Sequence, residues 1–198
     1  MPKVESAKKR RAVFLDRDGT VNVEVHYLSQ PEQLELLPTV AETIASLNAN
    51  DIAVVVITNQ AGIARGYFPE ARLGPIHERL RQLLAEHGAT VDGIYYCPHH
   101  PTAGLGKYHT NCDCRKPMPG MLNTAAKELS LDLSQSLMIG DRESDLEAGA
   151  KAGCQSALVR TGYGEVTSAA INLSKVRGIG IFASVAEAVD AWLAQTSS

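Results

Sequence analysis

Ala12-Val13-Phe14-Leu15-Asp16-Arg17-Asp18-Gly19-Thr20 is an uncharged apolar run that stops at two carboxylates separated by one residue. A run without polar alternation reads as a strand buried on both faces, the habit of parallel sheets, and its end delivers Asp16 and Asp18 to the mouth of the sheet. Gly19 then permits a sharp turn. Outward from this stretch the pattern repeats. Ile52 to Ile57 is a β-branched run, and Ile94 to Tyr96, Leu137 to Ile139, Ala157 to Val159 and Ile179 to Phe182 are further strand candidates. Helical spacing fills the intervals: Val40, Ile44 and Leu47; Ile76, Leu80, Leu83 and Leu84; Leu122, Ala126 and Leu129; Val185, Ala188 and Trp192. This alternation predicts an α/β fold, a doubly wound parallel sheet whose ligands gather outside the carboxyl ends of the strands.

The chain of 198 residues, 44% hydrophobic and 21% charged, is of a size for one domain over 1–198. No linker or internal repeat divides it. A formal charge of −3, evenly mixed, disfavours nucleic-acid and anionic-membrane partners. The basic cluster Lys8, Lys9, Arg10 and Arg11 belongs to a flexible, solvated leader over 1–11. No apolar segment follows it that would make a secretory signal, and no stretch reaches membrane-span length, so a cytoplasmic protein is expected. No heptad or exposed apolar stripe points to an interface, so a monomer is expected.

Three further stretches carry chemistry. Thr58-Asn59-Gln60 follows the second strand and offers a hydroxyl and backbone N–H groups to phosphoryl oxygens. Arg115-Lys116-Pro117 supplies fixed positive charge beside a helix start at Pro119. Gly140-Asp141-Arg142-Glu143-Ser144-Asp145 puts another carboxylate, Asp141, at a strand end, a hard oxygen ligand suited to magnesium. A calcium-loop reading of Asp16 and Asp18 fails, because Val21 stands where that loop needs glycine and Tyr27 where it needs glutamate.

The segment Pro98 to Pro119 lacks periodicity yet holds much of the cysteine. Cys97-x-His99 and, twelve residues on, Cys112-x-Cys114 present three thiolates and an imidazole, the ligand set of a closed structural zinc site. His100 and His109 are alternatives to His99. Zinc would staple residues 97–117 and fix Arg115 and Lys116 directly after Cys114. Cys154, apart from the others, reads as a small buried residue.

These four ordered stretches, DRDGT at Asp16, Thr58, Lys116 and GDRESD from Gly140, resemble the motifs of the haloacid-dehalogenase-like (HAD) phosphohydrolases. The resemblance implies a Rossmann-like fold, with Asp16 as nucleophile and Asp18 as acid and then base. It implies Mg²⁺ on the Asp16 carboxylate, the Asp18 main-chain carbonyl and Asp141. Thr58 and Lys116 would hold the phosphoryl group. No segment after Asp18 is long enough for a separate cap domain, so loops must select the substrate.

TNQAGIARG at Thr58, CPHHP at Cys97 and CDCRKPMPGM at Cys112 further resemble the heptose 1,7-bisphosphate 7-phosphatase group. That likeness implies a small phosphorylated sugar as substrate, contacts from Asn59, Gln60 and Ala61, a loop Glu24-Val25-His26-Tyr27 on the substrate side, and Arg142 near the phosphate. Arg115, able to pair bidentately with a second anion, is the expected selector of a bisphosphate. Histidinol-phosphate phosphatases, with a shorter cysteine loop, are the alternative within the superfamily. A non-catalytic binding platform has no need for Asp18, and a nucleic-acid 3′-end phosphatase would need a basic, aromatic surface that the chain lacks.

Overall fold

The structure, a computed structural model, describes residues 9–104, 106–173 and 176–196. Six strands form one parallel sheet: β1 (Ala12–Leu15), β2 (Ala53–Asn59), β3 (Gly93–Cys97), β4 (Leu137–Gly140), β5 (Gln155–Val159) and β6 (Gly178–Phe182). Their order is β3-β2-β1-β4-β5-β6. The chain therefore winds outward from β1 to β3, crosses back beside β1, and winds out again, which puts the switch point between β1 and β4. Asp16 and Asp141 leave the adjacent carboxyl ends of those two strands.

Side chains on β1 divide between the two faces, as the pleat requires. Val13 and Leu15 pack with α1 (Val40–Ala49), α3 (Leu73–Ala85) and α7 (Val185–Thr196), through Ile44, Ile76, Leu80 and Trp192. Ala12 and Phe14 face α4 (Gly120–Glu128) and α5 (Glu143–Ala152), through Met121, Leu122, Ala125 and Ala148. Two helices shorter than these, α2 (Ala61–Ala64) and α6 (Gly164–Ser168), sit at the carboxyl edge of the sheet.

Helix α5 was not foreseen. Leu146 is its one large apolar residue, and Ala148, Gly149, Ala150 and Ala152 give no stripe to read. Small residues are needed there, since a Cβ on Gly149 would collide with Ser156 Oγ at 2.5 Å and Met138 Cβ at 2.6 Å. Close helix-to-sheet approach, rather than apolar bulk, holds this element.

Of the expected leader, residues 1–8 lie outside the described residues. Arg10 and Arg11 are docked. Arg10 bridges to Leu131 and pairs with Asp51 at 3.3 Å and Asp92 at 2.7 Å, and the Arg11 guanidinium lies 5.2 Å from the centre of the Trp192 ring. No helix among the described residues is long and apolar enough to cross a membrane.

Phe14 is wholly buried two residues before Asp16. Phe14→Ala is expected to lower unfolding stability by roughly 3–5 kcal/mol, read from urea melts followed by circular dichroism.

Candidate active site

Lys116 lies at the centre of the site. Its ammonium bonds Asp16 Oδ1 at 2.6 Å, Asp145 Oδ1 at 2.7 Å and the Ile57 carbonyl at 2.8 Å, so all three N–H bonds are used. Lys116, Asp16 and Asp145 are all buried. Burial alone would lower the lysine's proton affinity, but the Asp145 and Asp16 charges carry it above the ordinary value. The position of Lys116 is fixed through its own peptide: Asn59 Nδ2 donates to its carbonyl at 3.0 Å, and its N–H donates to Asn59 Oδ1 at 3.1 Å.

Asp16, Asp141 and Asp145 present ligand oxygens that all lie within 4.8 Å of one another. Three carboxylates face one ammonium. Burial, reinforced by Asp145 and Asp141 and opposed by Lys116, pushes the Asp16 carboxyl well above its usual range. Burial and Asp145 raise Asp141 to about 7. Asp141 Oδ2 accepts from the Tyr163 N–H at 2.8 Å, whereas its Oδ1 is buried without a hydrogen-bond partner. That orphaned oxygen and the excess negative charge fit a hard divalent cation. Glycine is required at two positions around Asp141. Gly19, at φ 82°, and Gly162, at φ 56°, both approach so closely that a Cβ on either would strike Asp141 Oδ2.

Asp18 is held by donors on several sides. Its Oδ1 accepts from Arg17 Nε at 3.1 Å and Asn22 Nδ2 at 3.1 Å, and its Oδ2 from Gln60 Nε2 at 3.0 Å. Burial would raise its proton affinity, but the Arg17 charge and these hydrogen bonds bring it below the ordinary value. Gln60 Nε2 also donates to Thr58 Oγ1 at 2.8 Å, so Thr58, Gln60 and Asp18 form one cluster. Behind them His77 is kept neutral, lowered to about 4 by burial and by Arg17.

These groups open into a cavity of about 440 Å³. Asp16, Asp18, Thr58, Asn59, Gln60, Ala61, Arg115, Lys116 and Arg142 line it, as do Glu24, His26 and Tyr27. Val25 is exposed and does not line it, while Asp141 is buried behind the wall. His26 Nδ1 meets the Tyr163 hydroxyl at 2.8 Å, and Arg142 stacks on the Tyr163 ring at 3.7 Å. Arg65 and His100, 3.5 Å apart, join Arg115 in the wall. No carboxylate pairs with Arg65 or Arg115 among the described residues, so the rim is cationic above an acidic floor.

Asp145, Tyr163, Arg65 and His100 have no active-site role in the sequence reading, where His100 figures only as an alternative zinc ligand. Asp145 had a signal: it stands one helical turn beyond Asp141 in GDRESD, and its Oδ2 accepts from the Arg142 N–H at 3.0 Å as a helix start demands. Tyr163 had none, because nothing local marks it as a neighbour of Asp141.

In the cysteine loop, Cys114 Sγ lies 3.2 Å from Cys97 Sγ, 3.2 Å from Cys112 Sγ and 3.4 Å from His99 Nδ1. His100 Nδ1 instead accepts from Thr102 and Ala103 N–H groups, and His109 Nε2 meets the Pro101 carbonyl. The hydrogen bond from Cys97 draws the Cys114 thiol down to about 5. Three sulfurs and a ring nitrogen that all lie within 4.8 Å of one another are a donor set that fits zinc.

The chain is similar to proteins already known. Residues 113–188 match the family described as HAD-hydrolase-like. D-glycero-β-D-manno-heptose-1,7-bisphosphate 7-phosphatase of Photorhabdus laumondii is 47% identical over 153 residues, 76% of this chain and 81% of that protein. The protein of the same name from Escherichia coli K12 is 43% identical over 157 residues, 79% of this chain and 82% of that one. Among solved structures, D,D-heptose 1,7-bisphosphate phosphatase from B. bronchiseptica, complexed with magnesium and phosphate, superposes with a TM-score of 0.82 at 38% identity, covering 94% of this chain and 99% of that one. A four-motif site at the switch point of a parallel sheet and relatives of this identity and coverage place the chain in the heptose 1,7-bisphosphate 7-phosphatase family of HAD-like hydrolases.

Proposed function

We propose that this chain is a cytoplasmic enzyme that removes the 7-phosphate of D-glycero-β-D-manno-heptose 1,7-bisphosphate through a phosphoryl group carried on Asp16. The observation that carries the reading is the bond from Lys116 Nζ to Asp16 Oδ1 at 2.6 Å, inside a cavity whose rim is cationic. A carboxylate so placed is poised to attack phosphorus while the ammonium offsets charge on it and on the phosphate.

Asp16 forms the bond to phosphorus as the bond from phosphorus to the C7 oxygen breaks, and Asp18 gives that oxygen a proton. Water then attacks phosphorus, Asp18 takes the proton from the water, and phosphate leaves Asp16. Asp18 is an anion in its present surroundings. The proton it delivers is one it takes up once a phosphate dianion lies beside it, since like charge raises a carboxylate's proton affinity.

Asp16, Asp141 and the Asp18 carbonyl would hold magnesium, with Asp145 bracing Lys116 beside it. Bound there, magnesium would supply charge neutralisation for the phosphoryl oxygens. The high proton affinity that burial and two neighbouring carboxylates give Asp16 is the charge excess such an ion cancels. Cys97, His99, Cys112 and Cys114 would hold a structural zinc that keeps Arg115 and Lys116 in place. The second phosphate of the substrate would meet Arg115 on the rim, and Glu24, His26, Tyr27, Asn59, Gln60, Ala61 and Arg142 would contact the rest of the molecule.

A phosphate-release panel over both heptose bisphosphate anomers, fructose 1,6-bisphosphate and histidinol phosphate tests the reading. The β-anomer is expected to be cleaved fastest, Asp16→Asn to lose roughly 10⁴-fold or more, and Arg115→Ala to narrow the preference for bisphosphates by about tenfold. Normal turnover by Asp16→Asn would refute the mechanism, and an unchanged preference in Arg115→Ala would remove that residue as selector.

Lys116 also bears on stability. Its proton affinity is raised by folding, so the stability it lends is complete below pH 10.5 and is lost as the pH rises through the folded value. Lys116→Met is expected to cost roughly 3–5 kcal/mol at neutral pH, because Asp16 and Asp145 lose their cation in a buried place. Asp16 titrates above its ordinary value, so its ionised form destabilises the fold as pH rises. The deficit should therefore shrink in urea melts at pH 5 relative to pH 8. For the cysteine loop, Cys112→Ser is expected to lower bound zinc, measured by atomic emission, and to lower kcat/KM through the loosened Arg115 and Lys116. Full activity in a zinc-free Cys112→Ser protein would sink the stapling role.

A further inference from the structure

Arg17 stands between the two aspartates of the first strand's end, yet it does not line the cavity. Its side chain is 0% exposed. A guanidinium cannot shed its charge, and burying one costs several kcal/mol unless geometry and hydrogen bonds offset it. The compensation here is almost wholly Asp18. Arg17 Nη2 donates to Asp18 Oδ2 at 2.8 Å and to Oδ1 at 2.9 Å, and Nε donates to Oδ1 at 3.1 Å. The remaining nitrogen, Nη1, faces Nε2 of neutral His77 on α3 at 3.5 Å.

The fork is backed by a wall. The His77 ring packs on Tyr96 of β3 with centroids 5.9 Å apart, Tyr96 donates to Glu70 at 3.1 Å, and Tyr108 of the cysteine loop donates to the same carboxylate at 2.7 Å. A planar donor fixed on both sides gives its carboxylate one direction. Asn22 adds a hydrogen bond from within the fold, and Gln60 completes the grip from the cavity wall.

We propose that Arg17 is a positioning residue: it touches no substrate, and by clamping Asp18 against the His77 wall it aims that carboxyl at the leaving oxygen. The inference rests on the acid and base role given to Asp18 above. Arg17 thus serves proton transfer and not phosphate binding.

The leaving group separates the two. A sugar alkoxide needs the proton as the phosphorus–oxygen bond breaks, whereas 2,4-dinitrophenolate does not, so the burst of phenolate from the aryl phosphate reports attack by Asp16 alone. Arg17→Met is expected to slow single-turnover phosphorylation by heptose bisphosphate roughly hundredfold, with KM and the aryl burst rate within about threefold of the parent. Arg17→Lys, which keeps the charge without the fork, should recover only part of the loss. His77→Phe, at a half-buried position, should cost roughly threefold to tenfold on the sugar and nothing on the aryl substrate.

An equal fall on both substrates, or a rise in KM with kcat kept, overturns the inference. Should Arg17→Met show no cooperative thermal transition, His77→Phe decides, and an unchanged sugar rate in that variant overturns it. Asp18→Asn is the control. If it shows the leaving-group split and the folded Arg17 and His77 variants do not, only the role of Arg17 falls; if it shows no split, the acid role of Asp18 falls and the inference with it.

Discussion

One buried ammonium ties the site together. Lys116 Nζ is shared between Asp16 from β1, Asp145 from α5 and the carbonyl of Ile57 in β2, three segments far apart in sequence. Buried ions recover their desolvation cost only where every donor and acceptor is matched, and a cation with each proton spent meets that condition on its own side. The carboxylates do not. Asp16 and Asp145 share one ammonium with Asp141 close by, and the surplus charge is held in place by the strand ends and the first turn of α5 that carry it. A parallel sheet with its switch point between β1 and β4 makes the arrangement possible, because it sends two strand ends out side by side with room between their loops.

The same geometry explains the steric strictness around Asp141. Two glycines at positive φ close over its carboxylate, one from the turn after β1 and one from the turn after β5. The glycines press on Oδ2, while Oδ1 is buried with no protein partner, and a buried lone acceptor is tolerated where something else supplies the missing charge. Helix α5 adds to this. Asp145 closes its first turn by accepting from the Arg142 N–H while its other oxygen holds Lys116, so one residue both starts a helix and orients the cation.

Much of this was legible in the sequence, and the exceptions have physical causes. The central strands β1, β2 and β4 are buried on both faces and announce themselves as unbroken apolar runs, whereas the half-buried edge strands β3 and β6 show as short β-branched and aromatic runs. All six lie within a residue or two of the ends expected for them. Asp16, Thr58 and Asp141 each stand at or beside a strand end and could be read there, and Lys116 could be read from its place in Arg115-Lys116-Pro117 just before the start of α4. Helix α5 was not, because it is held by small residues at close range, and hydrophobic periodicity reports bulk. Tyr163, Arg65 and His100 reach the site only through tertiary folding of loops, for which spacing along the chain carries no information. Arg17 was quoted within its motif, yet its burial and its grip on Asp18 depend on His77, sixty residues away.

The layering of charge finally bears on selectivity in a site without a cap. The floor holds Asp16, Asp18 and Asp145 with Asp141 buried behind them, and the rim holds Arg65, Arg115 and Arg142. A phosphate reaching the floor must pass those arginines, and on entering it loses their help and depends on Lys116 and the charge that balances the acids. A substrate with one phosphate gives up the rim when it reacts. A substrate with two keeps one anion on the rim while the other reaches Asp16, so the rim's attraction survives into the reacting complex. An open cavity can thus favour a bisphosphate through the separation between cationic rim and acidic floor alone, provided the sugar spans it.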